Sequence, residues 1–215
     1  MTAQLTDTGE MKMHFRPGNR DDFGIWHEVH VHDAYRVRQL HASGVKPKRI
    51  VDLGGHVGTF TRLANKYWPE AIIHSYEVSP PTYDLLCLNT AGIPNITAFQ
   101  NCVLGWFGEE EGRELYPSNA MERHFREHRN PCAVSPKVVL ARAESIDFLK
   151  IDVEQSEVNI LTHLDAMDAL KDIQFIHGEW HFDEAKRVVR EIVGKTHDIE
   201  LIDVGQWNHF WARRK

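Results

Sequence analysis

The chain has 215 residues, of which 42% are hydrophobic and 26% charged, a composition that fits one globular domain with a sizeable core. Its formal net charge of −6 argues against a nucleic acid or an anionic membrane surface as the main partner. The sequence shows no apolar run that could cross a bilayer and no signal-peptide pattern, and its three cysteines are widely spaced. These features predict reduced thiols and a cytoplasmic protein.

Three segments are expected to lie outside the regular fold. Residues 1–12 are polar and aperiodic, which predicts a flexible tail. Residues 13–48 predict a lead-in, irregular or stranded at first and then helical, that covers the site. Residues 105–137 are charged, rich in histidine and interrupted by glycine and proline, which predicts a surface insertion or lid.

Strands and helices are predicted to alternate from residue 49 onward. Short apolar runs predict the strands RIVDL, AIIHSYEV, NITAFQNCVL, SIDFLKID and DIQFIHGEW, and then a hairpin of HDIELIDV and NHFWARR. Amphipathic stretches predict the intervening helices TFTRLANKYW, TYDLLCLNTAG, SEVNILTHLDAMDAL and DEAKRVVREIVGK. The fold class is therefore α/β, a doubly wound and mostly parallel seven-stranded sheet with a C-terminal antiparallel hairpin. Ligands of such sheets bind outside the C-terminal ends of the strands.

A glycine turn follows the first of these strands. In VDLGGHVGTF, Asp52 precedes Gly54, Gly55 and Gly58, and glycines allow a tight turn and close approach of a ligand to the backbone. The spacing differs from the dinucleotide fingerprint, and the P-loop lysine is missing. An acidic residue before the turn suits a cationic ligand such as S-adenosylmethionine. We expect these residues and His56 to contact that cofactor; a structural turn without a ligand is the alternative.

Polar residues also end the second and third of these strands. Glu77 stands where doubly wound folds place a carboxylate that accepts hydrogen bonds from ribose hydroxyls. The alternative is a surface glutamate favoured by a helix dipole. Asn101 and Cys102 are expected to meet an adenine edge, because an amide both donates and accepts hydrogen bonds. Asn101 is alternatively a strand terminator.

The chain resembles the FkbM-type methyltransferases in six successive blocks: RPGNRDDFGIWHEVHVHDAY, VDLGGHVGTF, YEVSP, QNCVLG, DFLKIDVEQSE and FIHGEWH. The resemblance spans residues 14–182 apart from the insertion and implies a Rossmann-like class I fold that uses S-adenosylmethionine. It also implies methylation of a hydroxyl oxygen on a small molecule or sugar. Gln155 and Ser156 replace the family's usual Gly-Ala pair, which affects the expected helix entry and substrate shape.

The resemblance also implies roles for particular residues. Asp52, Gly54, Gly58, Glu77 and Asn101 would line the cofactor. A second set would lie around the transfer centre: Asp152, Glu154, Glu179 and His181.

Proton transfer from a hydroxyl acceptor requires a base within hydrogen-bond reach. His181 is the first choice, because its unperturbed pKa lies nearest neutrality, and Glu179 could orient it. A helix-entry histidine is the alternative. Asp152 could hold the cofactor's ammonium or orient the acceptor, and Glu154 follows two residues later. Glu157 is expected to be a first-turn carboxylate favoured by the helix dipole.

Other ligands and functions stay open from the sequence. Asp152, Glu154 and Glu179 supply oxygen ligands of the type Mg²⁺ accepts, although no spacing demands a metal. The acceptor pocket is expected to be lined by His30, His32 and Tyr35. A nicotinamide-dependent oxidoreductase is disfavoured by the glycine spacing. A non-catalytic S-adenosylmethionine-binding module is the remaining alternative, motivated by the departure from the family's Gly-Ala pair.

Overall fold

A computed structural model describes residues 3–103, 132–154, 156–204 and 207–215 of the chain. Most of the predicted insertion at 105–137, and Gln155, therefore lie outside the described residues. Within the described residues, no helix combines the length and apolarity needed to cross a bilayer.

An antiparallel hairpin forms near the N-terminus, from β1 (Gln4–Asp7) and β2 (Lys12–Phe15). The predicted flexible tail at 1–12 is therefore wrong for these residues. Glu10, between the two strands, contacts Arg38, Lys66 and His30 at 2.9, 2.8 and 3.0 Å. All three partners are distant in sequence, so a local reading of residues 1–12 does not reveal this anchor.

Two helices follow the hairpin in the lead-in segment. Helix α1 (Arg20–His30) begins after Asn19, whose side chain accepts hydrogen bonds from the backbone N–H groups of Asp21 and Asp22. Helix α2 (Val37–Ala42) follows it. The lead-in is thus one strand and two helices. Buried residues such as Val29 pack it against one face of the main sheet, in the layer that contains Phe148 and Phe175.

The remaining elements mostly follow the predicted alternation. The strands are β3 (Arg49–Leu53), β4 (Ile72–Tyr76), β5 (Ile96–Phe99), β6 (Asn101–Val103), β7 (Cys132–Val134), β8 (Phe148–Ile151), β9 (Phe175–Glu179), β10 (His197–Val204) and β11 (Trp207–Arg214). The helices are α3 (Thr59–Tyr67), α4 (Pro80–Thr90), α5 (Pro136–Ala143), α6 (Glu157–Ala166), α7 (Asp183–Val188) and α8 (Gly194–Thr196). A 3₁₀ turn (Leu170–Asp172) precedes β9, and a π-helical turn (Val189–Val193) joins α7 to α8.

Seven of the described strands form one sheet in the order β10-β11-β9-β8-β3-β4-β5. Strands β9, β8, β3, β4 and β5 are parallel, and β11 is antiparallel to both β9 and β10. The predicted seven-stranded, mostly parallel sheet with a C-terminal hairpin is confirmed. The strand order reverses between β3 and β8, which is where doubly wound sheets bind their ligands.

Two details differ from the sequence prediction. The third predicted strand is interrupted at Gln100, and its second part, β6, pairs instead with β7 in a small parallel sheet. The end of the predicted insertion is regular, because residues 132–134 form β7 and helix α5 begins at Pro136. Val134 and Val139 join the main core, so the burial of their apolar side chains holds β7 and helix α5 against the sheet.

The strands present alternate residues to two apolar layers. Leu149 and Ile151 of β8 belong to the layer that includes α6 and α7. Phe148 faces the other layer, where its ring lies 5.6 Å from that of Phe60. Lys150 shares this second face, because side chains of a strand alternate with a period of two. A lysine is thereby buried at the edge where the strands end.

Candidate active site

A cavity of about 410 Å³ opens at the C-terminal ends of β3, β4 and β8. Its walls come from the glycine turn after β3, the segments after β4, β6 and β8, and the lead-in. The residues that line it include Ile25, Val29, Tyr35, Gly54, Gly55, His56, Glu77, Ser79, Thr82, Asn101, Cys102, Val103, Lys150, Asp152, Val153 and Glu154. A volume of this size is typical of a site for a small molecule.

The glycine turn brings backbone to the cavity wall. Gly54 has φ +83°, and a Cβ atom on it would lie 1.7 Å from the backbone oxygen of Asp152. A Cβ on Gly55 would lie 2.2 Å from Ser75 Oγ. Any side chain at either position would therefore collide with its surroundings. Gly58 has φ +91° and begins α3, but it packs against Leu86 and does not line the cavity.

His56 lies in the same turn and is held by the lead-in. Its Nε2 is 3.0 Å from Arg16 Nη2 and 3.3 Å from Asp22 Oδ1, and its backbone has φ +48°. The carboxylate of Asp22 is itself fully buried. The turn that faces the cavity is therefore supported from behind by residues that precede the first strand of the main sheet.

Asp52 does not line the cavity, contrary to the prediction that it contacts the cofactor directly. It is fully buried and accepts hydrogen bonds from Thr61 Oγ1 at 2.6 Å and Ser75 Oγ at 3.1 Å. Its other oxygen lies 3.2 Å from Lys150 Nζ. The cation expected beside Asp52 is thus a lysine of the same chain, supplied by the neighbouring strand.

Lys150 is the residue that the sequence reasoning missed. Its ammonium donates to the carbonyl oxygens of Leu53 and Gly54 at 3.2 and 2.5 Å, and lies 3.6 Å from Asp152 Oδ2. Burial lowers the pKa of Lys150, but Asp52 and Asp152 outweigh burial, so the pKa is raised above its ordinary value. Its signal in the sequence was a charged residue inside the apolar run FLKI.

Glu77 lines the cavity at the end of β4, as a ribose-binding carboxylate would. Its Oε2 accepts a hydrogen bond from the His56 backbone N–H at 2.9 Å, and its Oε1 accepts one from Ser79 N at 2.7 Å. Two backbone donors fix the carboxylate, and each oxygen has a second lone pair for a ligand.

Asn101 and Cys102 also line the cavity, on β6. Asn101 Oδ1 accepts a hydrogen bond from Arg142 Nη1 at 2.8 Å, which fixes the orientation of the amide. Burial raises the pKa of the Cys102 thiol to about 12, and Glu77 adds to the effect. The cysteine is therefore an uncharged, apolar part of the wall.

Tyr35 and Asp152 meet at the other end of the cavity. The Tyr35 hydroxyl donates to Asp152 Oδ2 at 2.8 Å, and its backbone oxygen lies 2.8 Å from Nδ1 of the buried His177. Burial first, and then Asp152, raises the pKa of Tyr35 well above its ordinary value, so the phenol stays a donor. Burial raises the pKa of Asp152. The charges of Lys150 and His181 and the hydrogen bond from Tyr35 lower it by more, so the net shift of the Asp152 pKa is downward.

His30 and His32 do not line the cavity, so their predicted place in an acceptor pocket is wrong for this structure. His30 is buried, and its two ring nitrogens lie 3.0 Å from Glu10 Oε2 and 3.1 Å from the Thr59 carbonyl oxygen. His32 is exposed, with its ring 4.7 Å from that of His27. Of the three predicted pocket residues, Tyr35 alone is on the wall.

His181 lies beside Asp152 and is surrounded by carboxylates. Its Nδ1 is 2.7 Å from Glu157 Oε1, and its Nε2 is 3.6, 3.8 and 3.9 Å from oxygens of Glu154, Asp152 and Glu179. Burial lowers the pKa of His181, but the hydrogen bond to Glu157 and the negative charges of Glu157, Asp152 and Glu154 together outweigh burial and raise the pKa to about 9. A ring that is protonated at neutral pH is a poor base, so this pKa disfavours the predicted role of His181 as the base.

Glu179 is better suited to accept a proton. Burial, followed by the neighbouring Asp152, raises the pKa of Glu179 to about 7. Strand register sets it directly opposite His209, whose Nε2 is 2.9 Å from Glu28 Oε1. Glu28 and His209 were not singled out in the sequence, because only the pairing of β9 with β11 and the packing of α1 bring them together.

Side chains with metal-type donor atoms converge here in two sets, which share Glu179. One contains Asp152, Glu179 and His181 and the other Glu28, Glu179 and His209, with the donor atoms of each set within 4.8 Å of one another. Glu154, a member of the predicted Mg²⁺ set, belongs to neither; its side chain is 76% exposed. Its backbone φ of +53° turns the chain before α6.

The sequence profile of the methyltransferase FkbM domain matches residues 52–202. No curated protein matches the chain in sequence.

Solved structures of methyltransferases share the fold. The N-methyltransferase NodS from Bradyrhizobium japonicum WM9 is 11% identical and superposes with a TM-score of 0.51 over 86% of this chain and 94% of that one. The ribosomal protein L11 methylase from Lactobacillus delbrueckii subsp. bulgaricus is 15% identical, with a TM-score of 0.50 over 86% of this chain and 80% of that one.

Proposed function

The chain belongs to the methyltransferase FkbM domain family, and on that premise we propose that it transfers the methyl group of S-adenosylmethionine to a hydroxyl oxygen of a small molecule or sugar. The family and the class I fold make it a methyltransferase. The cofactor's identity, the oxygen as acceptor atom and the kind of acceptor are what we propose beyond that.

The observation that carries the proposal is the composition of the cavity between the glycine turn and the β4 and β6 ends. Glu77 has two oxygens fixed by backbone donors and facing the cavity, which suits a ribose diol. Asn101, Cys102 and Val103 form a wall with one fixed amide, which suits an adenine ring. Gly54 lets the turn after β3 lie directly against the backbone of Asp152, where a side chain would collide, and so fixes the cavity wall.

The charged end of the cavity suits the amino acid part of the cofactor. Lys150 lines the cavity and is held by Asp52 and two backbone carbonyl oxygens, so its positive charge is fixed where it attracts a carboxylate. Asp152 accepts from Tyr35 and stays ionised, so it can receive an ammonium. In this proposal Asp52 acts on the cofactor through Lys150 and not by direct contact.

S-adenosylmethionine supplies an electrophilic methyl group on a positively charged sulfur. In the reaction a bond forms between the acceptor oxygen and the methyl carbon while the carbon–sulfur bond breaks and its electron pair returns to sulfur. The acceptor must lose its hydroxyl proton, and Glu179 is our candidate to take it. The role of the other side chains is to hold the oxygen in line, which supplies a large part of the barrier reduction.

Binding and turnover experiments test the proposal separately. Calorimetric titration with S-adenosylhomocysteine, NADH and NADPH should show binding of the first alone, and absence of that binding would refute the cofactor assignment. A screen of hydroxylated small molecules and sugars should release S-adenosylhomocysteine with at least one acceptor. Binding without turnover across the screen would favour the non-catalytic module.

A further inference from the structure

Glu157 occupies an unusual position for the first residue of a helix. A glutamate in the first helical turn is ordinarily exposed and interacts with the helix dipole. Here the side chain is fully buried at the start of α6. A buried carboxylate is strongly destabilising unless hydrogen-bonded or paired, so its partners define what it does.

The partner of Glu157 comes from a different element. Oε1 lies 2.7 Å from Nδ1 of His181, a residue 24 positions further along the chain and just beyond β9. The same oxygen is 3.4 Å from the backbone N–H of Val153. The carboxylate therefore joins the loop after β8 to the loop after β9, the two segments that carry the candidate reaction centre.

The other ring nitrogen of His181 then faces the reaction centre. Nε2 is 3.6 Å from Glu154, 3.8 Å from Asp152 and 3.9 Å from Glu179, each beyond the length of a direct hydrogen bond. Among the residues that the structure describes, these separations leave the Nε2–H group available to an oxygen atom that enters among the carboxylates. An acceptor hydroxyl is such an atom, and its lone pair would receive the hydrogen bond.

We propose that Glu157 is a positioning residue that holds His181 with its Nε2–H directed at the acceptor oxygen. His181 would orient and polarise the hydroxyl as a donor while Glu179 accepts its proton. The catalytic consequence rests on the proposed function, whereas the fixed orientation of the ring does not. The groups that face His181 are Glu157 of α6, Asp152 and Glu154 after β8, and Glu179 of β9.

A Glu157→Gln variant tests the orientation directly. It keeps the shape and one acceptor oxygen but removes the charge. Nitrogen-15 NMR of the histidine side chains, with His181 assigned from a His181→Asn difference spectrum, would follow both ring nitrogens across pH. We expect the wild-type ring to carry both protons at pH 7.5, and the variant to titrate about 1 to 3 pH units lower.

Two further variants separate a positioning role from a purely structural one. Glu157→Asp retains the carboxylate and should recover part of the wild-type titration, although its side chain is shorter. Asp165→Asn changes a carboxylate near the other end of the same helix, which pairs with Lys195, and should leave His181 unaffected. Thermal melting of each variant would report whether it folds; if Glu157→Gln does not, Glu157→Asp still tests the contact.

The outcomes distinguish this inference from the proposed function. An unchanged His181 titration in folded Glu157→Gln would overturn the positioning role. With an acceptor identified, the same variant should lose kcat about 10-fold or more while S-adenosylhomocysteine affinity stays at the wild-type value. A shifted titration together with no methyl transfer by the wild-type enzyme would refute the proposed function and leave the positioning of His181 intact.

Discussion

Replacing Lys150 by methionine removes the buried cation on which the charged end of the cavity depends. Its Nζ lies 3.2 Å from Asp52 and 3.6 Å from Asp152 and donates to two backbone carbonyl oxygens. Methionine fills much of the same volume, so the substitution removes charge and hydrogen bonds while largely preserving packing. The lysine pKa is raised, so its stabilising contribution is fully present at pH 7 and disappears only as pH rises through that pKa.

The size of the stability loss depends on the interactions that Asp52 and Asp152 retain when the lysine is removed. Removing one partner of a buried ion pair costs about 3–5 kcal/mol. Asp52 retains hydrogen bonds from Thr61 and Ser75, and the Asp152 side chain is 24% exposed, so both keep some stabilisation. We therefore expect the lower end of that range, a loss of about 3 kcal/mol in the free energy of unfolding.

Urea unfolding at pH 7 would measure the change, provided that the m-values of the variants agree. The matched control is Lys171→Met, which removes an exposed lysine paired with Asp168 and should have no measurable effect. In a double variant, Asp52→Asn with Lys150→Met, no unpaired charge remains at position 52. This variant should recover part of the free energy of unfolding that Lys150→Met loses. Equal stability of Lys150→Met and Lys171→Met would refute the reasoning.

Three further predictions concern ligand binding and pH. Gly54→Ala should abolish S-adenosylhomocysteine binding in calorimetry, because its Cβ would meet a backbone oxygen at 1.7 Å; Gly44→Ala, with the same φ of +83° and nothing within 4 Å of the added Cβ, is the control. Glu77→Gln should weaken that binding about 10- to 100-fold through loss of charged hydrogen bonds, whereas Glu70→Gln on an exposed turn should not. Methyl transfer should decline as pH falls below about 7, because Glu179 must be ionised to accept a proton, and Glu179→Gln should lower kcat about 10²- to 10⁴-fold.

Each of these predictions has an outcome that contradicts it. Equal binding by the Gly54 and Gly44 variants would show that the close fit of the turn against Asp152 is not needed for binding. Unchanged affinity in Glu77→Gln would remove the ribose assignment. A rate that is flat between pH 6 and 8 in the wild-type enzyme would exclude Glu179 as the proton acceptor.

Much of the fold was predictable, because its signals are local. Runs such as RIVDL and FLKI alternate with amphipathic helices, and this pattern alone predicts the parallel sheet. The N-terminal hairpin is not predictable in this way, because Glu10 meets its three partners, Arg38, Lys66 and His30, only after the chain has folded. Helix α5 is not predicted from the sequence, because the packing of Val139 against the core is not a local signal.

The site was predictable where strand ends define it and less so where packing does. Glu77, Asn101 and Asp152 follow from their positions at the ends of strands, and all three line the cavity. The role of Asp52 is not predictable from the sequence, because its partner Lys150 belongs to a strand that is adjacent only in space. For the same reason, the charge on His181 depends on Glu157, whose burial no sequence pattern indicated.

The contact between Gly54 and the backbone of Asp152 has a consequence for how the protein is made. The two residues are far apart in sequence, yet the turn after β3 leaves no space for even one methyl group against the end of β8. The wall of the cavity therefore cannot form while the ribosome has delivered only the first half of the chain. A ligand bound here would stabilise only chains in which the turn after β3 and the end of β8 have already come together, so binding reports the folding of these two segments against each other.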